Sequence, residues 1–377
     1  MSIKLQMVDL VSQYHKIKPE MDEAISRVVE SAQFIGGPAV IEFKQNLERY
    51  LMVKQVIPCA NGTDALQIAL MALGLKPGDE VVVPAFTYVA TAEVIALLHL
   101  KPVMVDVYAD DFNVDVAAIE RSIGPRTKAI VPVHLFGQCA DMESIMTIAK
   151  RHNLFVVEDN AQAIGSNYSF RNGETAMAGT IGHIGCTSFF PSKNLGCYGD
   201  GGAMFTQDEK LANNLRMIAN HGQSATRYYH DVVGVNSRLD TLQAAVLNIK
   251  LQYLDAYIQA RIQAADYYDA AFQHHQDLIV PFRNQHSKHV FHQYTLRVTN
   301  GQRDALKEFL DLKGIPNAIY YPVPLYKQKA FRESSGGIEQ LPVTEMLCRE
   351  VISLPMHTEL TPQIQDMIID EVLRFLK

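Results

Sequence analysis

Apolar residues recur at helical spacing from about Ile17 to Glu30, at Ile17, Met21, Ile25, Val28 and Val29, which predicts an amphipathic helix. Phe34-Ile35-Gly36-Gly37-Pro38 breaks it, and Phe43, Leu47 and Leu51 mark a second one. The pattern then changes. A short apolar strand ends at Cys59, Asn61-Gly62-Thr63 turns, and a helix is expected from Asp64 to near Gly74, with Thr63 or Asp64 as its cap. Strand, glycine turn and helix start together form a place that can hold a phosphate.

Strand Val81–Val83, a helix from about Thr87 to Leu98 and strand Val103–Val107 make the next unit. RTKAIVPVHLFG and RHNLFVVEDNAQAIGS repeat it. Repeated strand–helix units predict an α/β fold, a mainly parallel sheet with helices on both faces. Ligands of such sheets collect beyond the C-terminal strand ends, where Thr63, Tyr88, His134, Asp159 and Gln162 fall.

Further on, a strand is expected to end after Ala203, and a helix to run from Asp208 to about Asn220. The segment from His221 is polar and loop-like, and a long helix follows from about Asp240, capped by Asp240 or Ser237. The last third is organised differently. VFHQYTLRV reads as a strand, RDALKEFLDLKG as a helix closed by Gly314, and IPNAIYYPVP as a strand. Two more helices run from Thr344 to Val351 and from Thr361 to the end. The expected division is a large domain over 1–248, including the N-terminal helices, and a smaller α+β domain over 249–377. Gly336-Gly337 marks an expected mobile loop.

Composition narrows the function. The chain has 377 residues, 48% apolar and 20% charged, enough to bury a large core. Its net charge of −7 comes without a basic cluster, which argues against nucleic acid or an anionic membrane as partner. No apolar run is long enough to span a bilayer, and the N-terminus does not read as a signal peptide. Five scattered cysteines, Cys59, Cys139, Cys186, Cys197 and Cys348, lack metal-ligand spacing and read as reduced thiols of a cytoplasmic protein. No metal site is expected.

One stretch carries the chemistry: SFFPSKNLGCYGDGGA, from Ser188 to Ala203, with Lys193 as its single lysine. Lysine forms Schiff bases with aldehydes. Pyridoxal phosphate is the aldehyde cofactor that needs such a lysine and an acid for its ring nitrogen. Asp159 follows an apolar strand and suits the ring nitrogen; as a strand-end residue it could also be a turn former. Gln162 is spaced to reach the ring's phenolic oxygen. Tyr88 could stack on the ring, with Phe86 competing for that place. Arg227, Asn236 and Arg238 lie in the polar segment, where ordinary solvated surface is the alternative for each.

ANGTDAL, PAFTYVATAEVI, VEDNAQAIGS, SFFPSKNLGCYGDGGAM, GVNSRLDTLQAAVL and YYPVPLYKQ occur in an order that resembles the DegT/DnrJ/EryC1/StrS family of sugar-nucleotide aminotransferases. The resemblance covers nearly the whole chain and implies the fold-type I aspartate-aminotransferase architecture. It implies that Lys193 is the Schiff-base lysine and that Asp159 pairs with the pyridine nitrogen. Gln162 then contacts the ring oxygen, Gly62, Thr63 and Ser188 hold the phosphate, and Tyr88 stacks. Asn236 reaches the phosphate from the neighbouring subunit, so the implied unit is a homodimer with shared sites. L-Glutamate gives its amino group and leaves as 2-oxoglutarate, and a keto sugar takes the group in a ping-pong sequence, with Lys193 moving the proton.

Within the family, the chain is most similar to the subgroup acting on a UDP-linked 2-acetamido-2-deoxy-3-oxo-hexuronate, which would serve surface polysaccharide (O-antigen, lipopolysaccharide) synthesis. Arg238 and then Arg227 are the candidates for its anionic groups, with Tyr321 and, more weakly, His357 behind them. Many relatives carry His-Tyr-Pro where this chain has Tyr320-Tyr321-Pro322, so Tyr320 stands at a candidate substrate position. A 4-aminotransferase acting on a nucleotide-linked 4-keto-6-deoxy sugar is the alternative. A non-catalytic sugar-nucleotide-binding protein of the same fold is a second one. A dehydratase of this fold would carry histidine in place of Lys193.

Overall fold

Asp9 opens the first helix, α1 (Leu10–Lys16), by accepting the Ser12 N–H. None of its residues is buried, so it has no apolar period to read, and the sequence pattern misses it. The two expected helices follow. α2 (Lys18–Ser31) buries Met21, Ala24 and Val28, and α3 (Pro38–Leu51) buries Phe43, Leu47 and Leu51. Pro38 starts α3 where a missing N–H costs nothing. The structure, a computed structural model, describes residues 5–332 and 340–377. The Gly336-Gly337 loop lies outside them.

The alternating units then build the sheet: β1 (Gln55–Cys59), α4 (Gly62–Ala72), β2 (Glu80–Pro84), α5 (Ala90–Leu97), β3 (Lys101–Val105), α6 (Val116–Ser122), β4 (Thr127–Ile130), α7 (Met142–His152) and β5 (Phe155–Asp159). A small hairpin, β6 (Asn167–Ser169) and β7 (Thr175–Met177), precedes β8 (Ile184–Ser188), β9 (Gly202–Thr206) and α8 (Glu209–Ala219). Seven strands lie in the order β1-β9-β8-β5-β4-β2-β3. β9 alone runs against the others, antiparallel to β8 and β1. The remaining neighbours are parallel.

Both faces are covered, and strand periodicity shows it. Val81 and Val83 pack with Ile68, Ile95 and Leu215 in one core. Val82, between them, packs with Ile119, Ile145 and Ile148 in another on the opposite face. Each such side chain contributes about 1.5–3 kcal/mol by leaving water. The strand expected to end after Ala203 instead begins at Gly202 and runs to Thr206. A Cβ on Gly202 would stand 2.5 Å from the Asn61 backbone, so glycine marks a close approach inside the sheet rather than its end.

α9 (Thr241–Phe272) spans 32 residues. Asp240 stands at its N-cap position without a side-chain cap bond. Its first half packs α2 and α3, and its last turns bring Ala265, Tyr268 and Phe272 to a separate apolar core. That core is completed by the antiparallel sheet of β10 (Leu278–Ile279), β11 (Tyr294–Val298) and β12 (Val351–Leu354), with α10 (Arg303–Leu312) and α12 (Pro362–Leu376). α11 (Pro342–Glu350) is fastened to the first sheet by Asp106, which accepts the N–H groups of Val343 and Thr344 and the Thr344 hydroxyl.

IPNAIYYPVP does not form the expected strand; only Ala318 bridges to Ser353. Pro322 and Pro324 lack the N–H a ladder needs, and β12 fills that place. The residues so freed, Tyr320 and Tyr321, turn toward the first sheet.

Candidate active site

The parallel strands end along one edge, and each end delivers a different group. β1 leads into α4, whose N-cap is Asn61 rather than Thr63 or Asp64. The Asn61 side chain accepts the Asp64 N–H at 2.8 Å, and its carbonyl takes the Ala65 N–H at 3.1 Å. Of the first-turn donors, Gly62 and Thr63 are left to point outward. Ser188, at the end of β8, sits directly against them. The register runs Cys59 to Gly202 to Ser188 across three strands. A Cβ on Gly62 would lie 2.7 Å from the Ser188 Cβ, so only glycine lets the helix start and the serine hydroxyl meet. Two N–H groups, a hydroxyl and a helix N-terminus make a cradle for an anion.

β5 ends in Asp159. Its Oδ2 accepts the Thr91 hydroxyl at 2.8 Å and its Oδ1 the Ala161 N–H at 3.1 Å. Burial pushes its carboxyl above the ordinary range, against the pull of Thr91, Ala161, Lys193 and His134. His134 stands behind Asp159 and does not line the cavity. Its Nδ1 accepts the Ala140 N–H, so the proton is on Nε2, which donates to Glu158 at 2.8 Å. Glu158 also accepts the N–H groups of Gly179, Ile181 and Gly182, tying the approach to β8 onto β5.

Lys193 follows β8 in a turn whose Lys193 N–H bonds the Phe190 carbonyl. Burial brings its amine down to about 8, with Asp159 opposing. An amine that is partly neutral near physiological pH can act as nucleophile and base. Gln162 is held at both ends: Phe136 N–H donates to its Oε1 at 2.7 Å, and its Nε2 donates to the Tyr321 hydroxyl at 3.2 Å.

These groups face a cavity of ≈ 610 Å³. Gly62, Thr63, Tyr88, Asp159, Gln162, Ser188, Lys193, Tyr320 and Tyr321 line it together. Phe86 does not; it is buried and packs edge-on against Tyr321. Tyr88 is 58% exposed at the rim, which leaves its ring free to cover a ligand. Among the described lining residues, Lys193 is the only lysine or arginine, while Asp159 and Asp200 are acids.

Four of the candidates lie elsewhere in this chain. Arg238 lines a separate hollow of ≈ 220 Å³ with Lys44 and Arg216. Asn236 is exposed. Arg227 is exposed and stacks 4.8 Å over the Tyr228 ring. His357 is buried away from the cavity, pushed down to about 4 by burial, and accepts the Glu359 N–H.

Two lining groups have no signal in the sequence. The Thr87 hydroxyl is buried without a partner. His292 is 4% exposed, with an unpartnered Nδ1. Burial first, then Lys193 and Arg261, hold it well below its ordinary value, hence neutral. It reaches the cavity because Arg261, on α9, holds the carbonyls of Phe291 and His292. That is a link between distant segments.

The model of the DegT/DnrJ/EryC1/StrS aminotransferase family matches residues 15–373. The chain is 46% identical to the UDP-2-acetamido-2-deoxy-3-oxo-D-glucuronate aminotransferase of Pseudomonas aeruginosa, over 94% of this chain and 95% of that protein. It is 44% identical to the UDP-N-acetyl-3-dehydro-alpha-D-glucosamine 3-aminotransferase of Acidithiobacillus ferrooxidans, over 94% of each. The crystal structure of NtdA from Bacillus subtilis with bound cofactor PMP superposes with a TM-score of 0.89 at 29% identity, covering 99% of this chain and 86% of that one.

Proposed function

We propose that this chain, which belongs to the DegT/DnrJ/EryC1/StrS aminotransferase family, moves an amino group from L-glutamate to C3 of a UDP-linked 2-acetamido-2-deoxy-3-oxo-glucuronate. The observation that carries the reading is the convergence of Lys193, Asp159 and Gln162 on one cavity whose floor is the Gly62–Ser188 cradle. The cofactor of the family is pyridoxal 5′-phosphate, and the residues fit it. A cradle that any Cβ at position 62 would fill suits its phosphate, and a buried acid suits its ring nitrogen.

In this reading Gly62, Thr63 and Ser188 hold the phosphate, Asp159 the ring nitrogen and Gln162 the ring oxygen. Tyr88 covers the ring, and Lys193 bonds it covalently. The bound cofactor supplies an electron sink for the carbon that loses its proton. Lys193, brought down to about 8, would be set free when the donor's amino group takes its place; its free amine would then take that proton from the donor's Cα and return one to the sugar carbon on the reverse half. Phe136 and Tyr321 keep the Gln162 amide oriented through both steps.

Two relatives named for UDP-sugars aminated at position 3 support the substrate class. Organic chemistry supports the pairing of uronate and C3. A C4 ketone would be β to the C6 carboxylate and prone to decarboxylation, while a C3 ketone is one carbon further away. The diphosphate and carboxylate need cations that the lining residues do not supply. Arg238 first and Arg227 second, from a neighbouring copy, would supply them, with Asn236 reaching the phosphate. The unit is therefore read as a homodimer with shared sites. Tyr320 and Tyr321 would complete the sugar side. Residues 1–248 and 249–377 are read as its large and small domains, joined through α9. The product would enter surface polysaccharide such as O-antigen, made in the cytoplasm. Five free, buried cysteines agree with that compartment.

The test runs the reaction backwards, from the UDP-linked 3-amino uronate and 2-oxoglutarate. Glutamate should form. If it does not, while a 4-amino-6-deoxy sugar nucleotide yields glutamate, the 4-aminotransferase reading replaces this one.

A further inference from the structure

Asp159 must stay ionised in a place that disfavours charge. It is 5% exposed, and burial is the largest influence on its carboxyl, pushing it up. Against that stand few donors. The Thr91 hydroxyl, at 2.8 Å from Oδ2, is the strongest of them, followed by the Ala161 N–H and the charge of Lys193.

Thr91 has no evident packing reason to be a threonine. It is the second residue of α5 and 1% exposed. A buried helical position of this kind suits alanine or valine as well, and α5 has Ala90 and Ala92 on either side. Threonine in a helix often turns its hydroxyl to the carbonyl one turn back. Here the hydroxyl is aimed instead at β5, 68 positions along the chain. It does not line the cavity, so whatever it does is done through Asp159.

We propose that Thr91 is a positioning residue: by donating to Oδ2 it holds Asp159 ionised and fixes its orientation, so that the proton shared with the cofactor's pyridine nitrogen stays on nitrogen. The inference rests on the reading of this cavity as a pyridoxal phosphate site. Without the hydroxyl, the Asp159 carboxylate becomes more basic and the shared proton moves from nitrogen to oxygen. No group other than that proton moves.

The test loads the holoenzyme with ¹⁵N-labelled cofactor and reads the pyridine nitrogen resonance. Thr91→Val, which keeps shape and loses the hydroxyl, should move the resonance toward that of unprotonated pyridine. It should also lower kcat about tenfold, as expected for one hydrogen bond to a charged group, with KM for the sugar little changed. Thr91→Ser, which restores the donor, should return both to wild type. If Thr91→Val does not fold, Thr91→Ala removes the hydroxyl without changing the comparison. A wild-type resonance and kcat in the variant lacking the hydroxyl overturns the proposal, provided that Asp159→Asn moves the resonance. If Asp159→Asn leaves it unmoved as well, the reading of the site falls and the proposal with it.

Discussion

Lys193 and Lys250 are both withdrawn from water, and burial brings each amine down to about 8. Their surroundings differ in every other respect. Lys193 shares a ≈ 610 Å³ cavity with Asp159, Gln162 and the Gly62–Ser188 cradle. Lys250 lies within α9, 2% exposed, with its Nζ 4.6 Å from the centroid of the Tyr198 ring. It has no ion pair or hydrogen bond among the described residues, and the nearby Tyr198 hydroxyl is itself buried without a partner. A depressed lysine therefore reports only burial. Chemistry needs, beside it, a space for a ligand, an acid to hold that ligand's charge and donors to orient it.

The largest separation between the two should come from removing each amine. Lys193→Ala should lose at least about 10³-fold in turnover, since nucleophile and general base go together. Sign and pH follow from the depressed amine. The neutral form dominates above its pKa, so the rate at which apo-protein captures pyridoxal phosphate should rise as pH rises through about 8 and then level. The visible band that follows capture is the measure. Lys250→Met should show the same profile as wild type, and Lys193→Ala no band at all. A Lys193→Ala protein that turns over normally would end the assignment.

Next in size is the acid that Lys250 lacks. Asp159→Asn should keep the fold and lose about 10²-fold in kcat, because an amide cannot hold the pyridinium proton by charge. Near-normal kinetics would reduce Asp159 to a turn residue and leave the two lysines distinguished by the cavity alone.

How much of this was legible in the sequence follows from how local each feature is. Asp159, Ser188 and the Gly62–Thr63 turn sit where an apolar strand gives way to a glycine-rich or polar step, so pattern alone puts them at one edge of a parallel sheet. Thr91 and His292 cannot be found that way. Thr91 lies inside an apolar helical run, and His292 inside an apolar strand-like one. Their roles come from partners 68 positions away in one case and from Arg261 in the other. α1 escaped because it buries nothing. The Tyr320-Tyr321 segment misread as strand because its apolar alternation outweighed prolines that forbid a ladder.

A smaller effect tests whether the cavity belongs to one chain. Asn236 is exposed and outside it here. In the proposed dimer it donates to the partner's cofactor phosphate. Asn236→Ala should then weaken cofactor retention by about tenfold, in line with roughly 1–3 kcal/mol for a bond to a charged group, measured by dialysis and residual absorbance. An active monomer with normal retention would contradict the shared site.

The smallest effect on activity, and the sharpest test of the comparison, is Lys250→Met. It should leave kcat and cofactor affinity unchanged, because Lys250 touches no lining group of the cavity. Its effect should be on stability, in the opposite direction from most core substitutions. A lysine held near 8 when folded and near 10.5 when unfolded costs the folded state about 3 kcal/mol at neutral pH. The cation–π contact with Tyr198 offsets part of that. The sign with pH is fixed by which state binds the proton. Between about 8 and 10.5 the unfolded chain holds it and the folded chain does not, so wild-type stability rises with pH across that window. Met has no such term. The thermal midpoint of Lys250→Met should therefore lie a few degrees above wild type at pH 7, and the gap should close as pH approaches 10.5. Comparing holoenzymes keeps Lys193, which shows the same depression, out of the difference. A gap that does not change with pH would mean that Lys250 is not held neutral by burial. The likeness from which the two lysines start would then be lost.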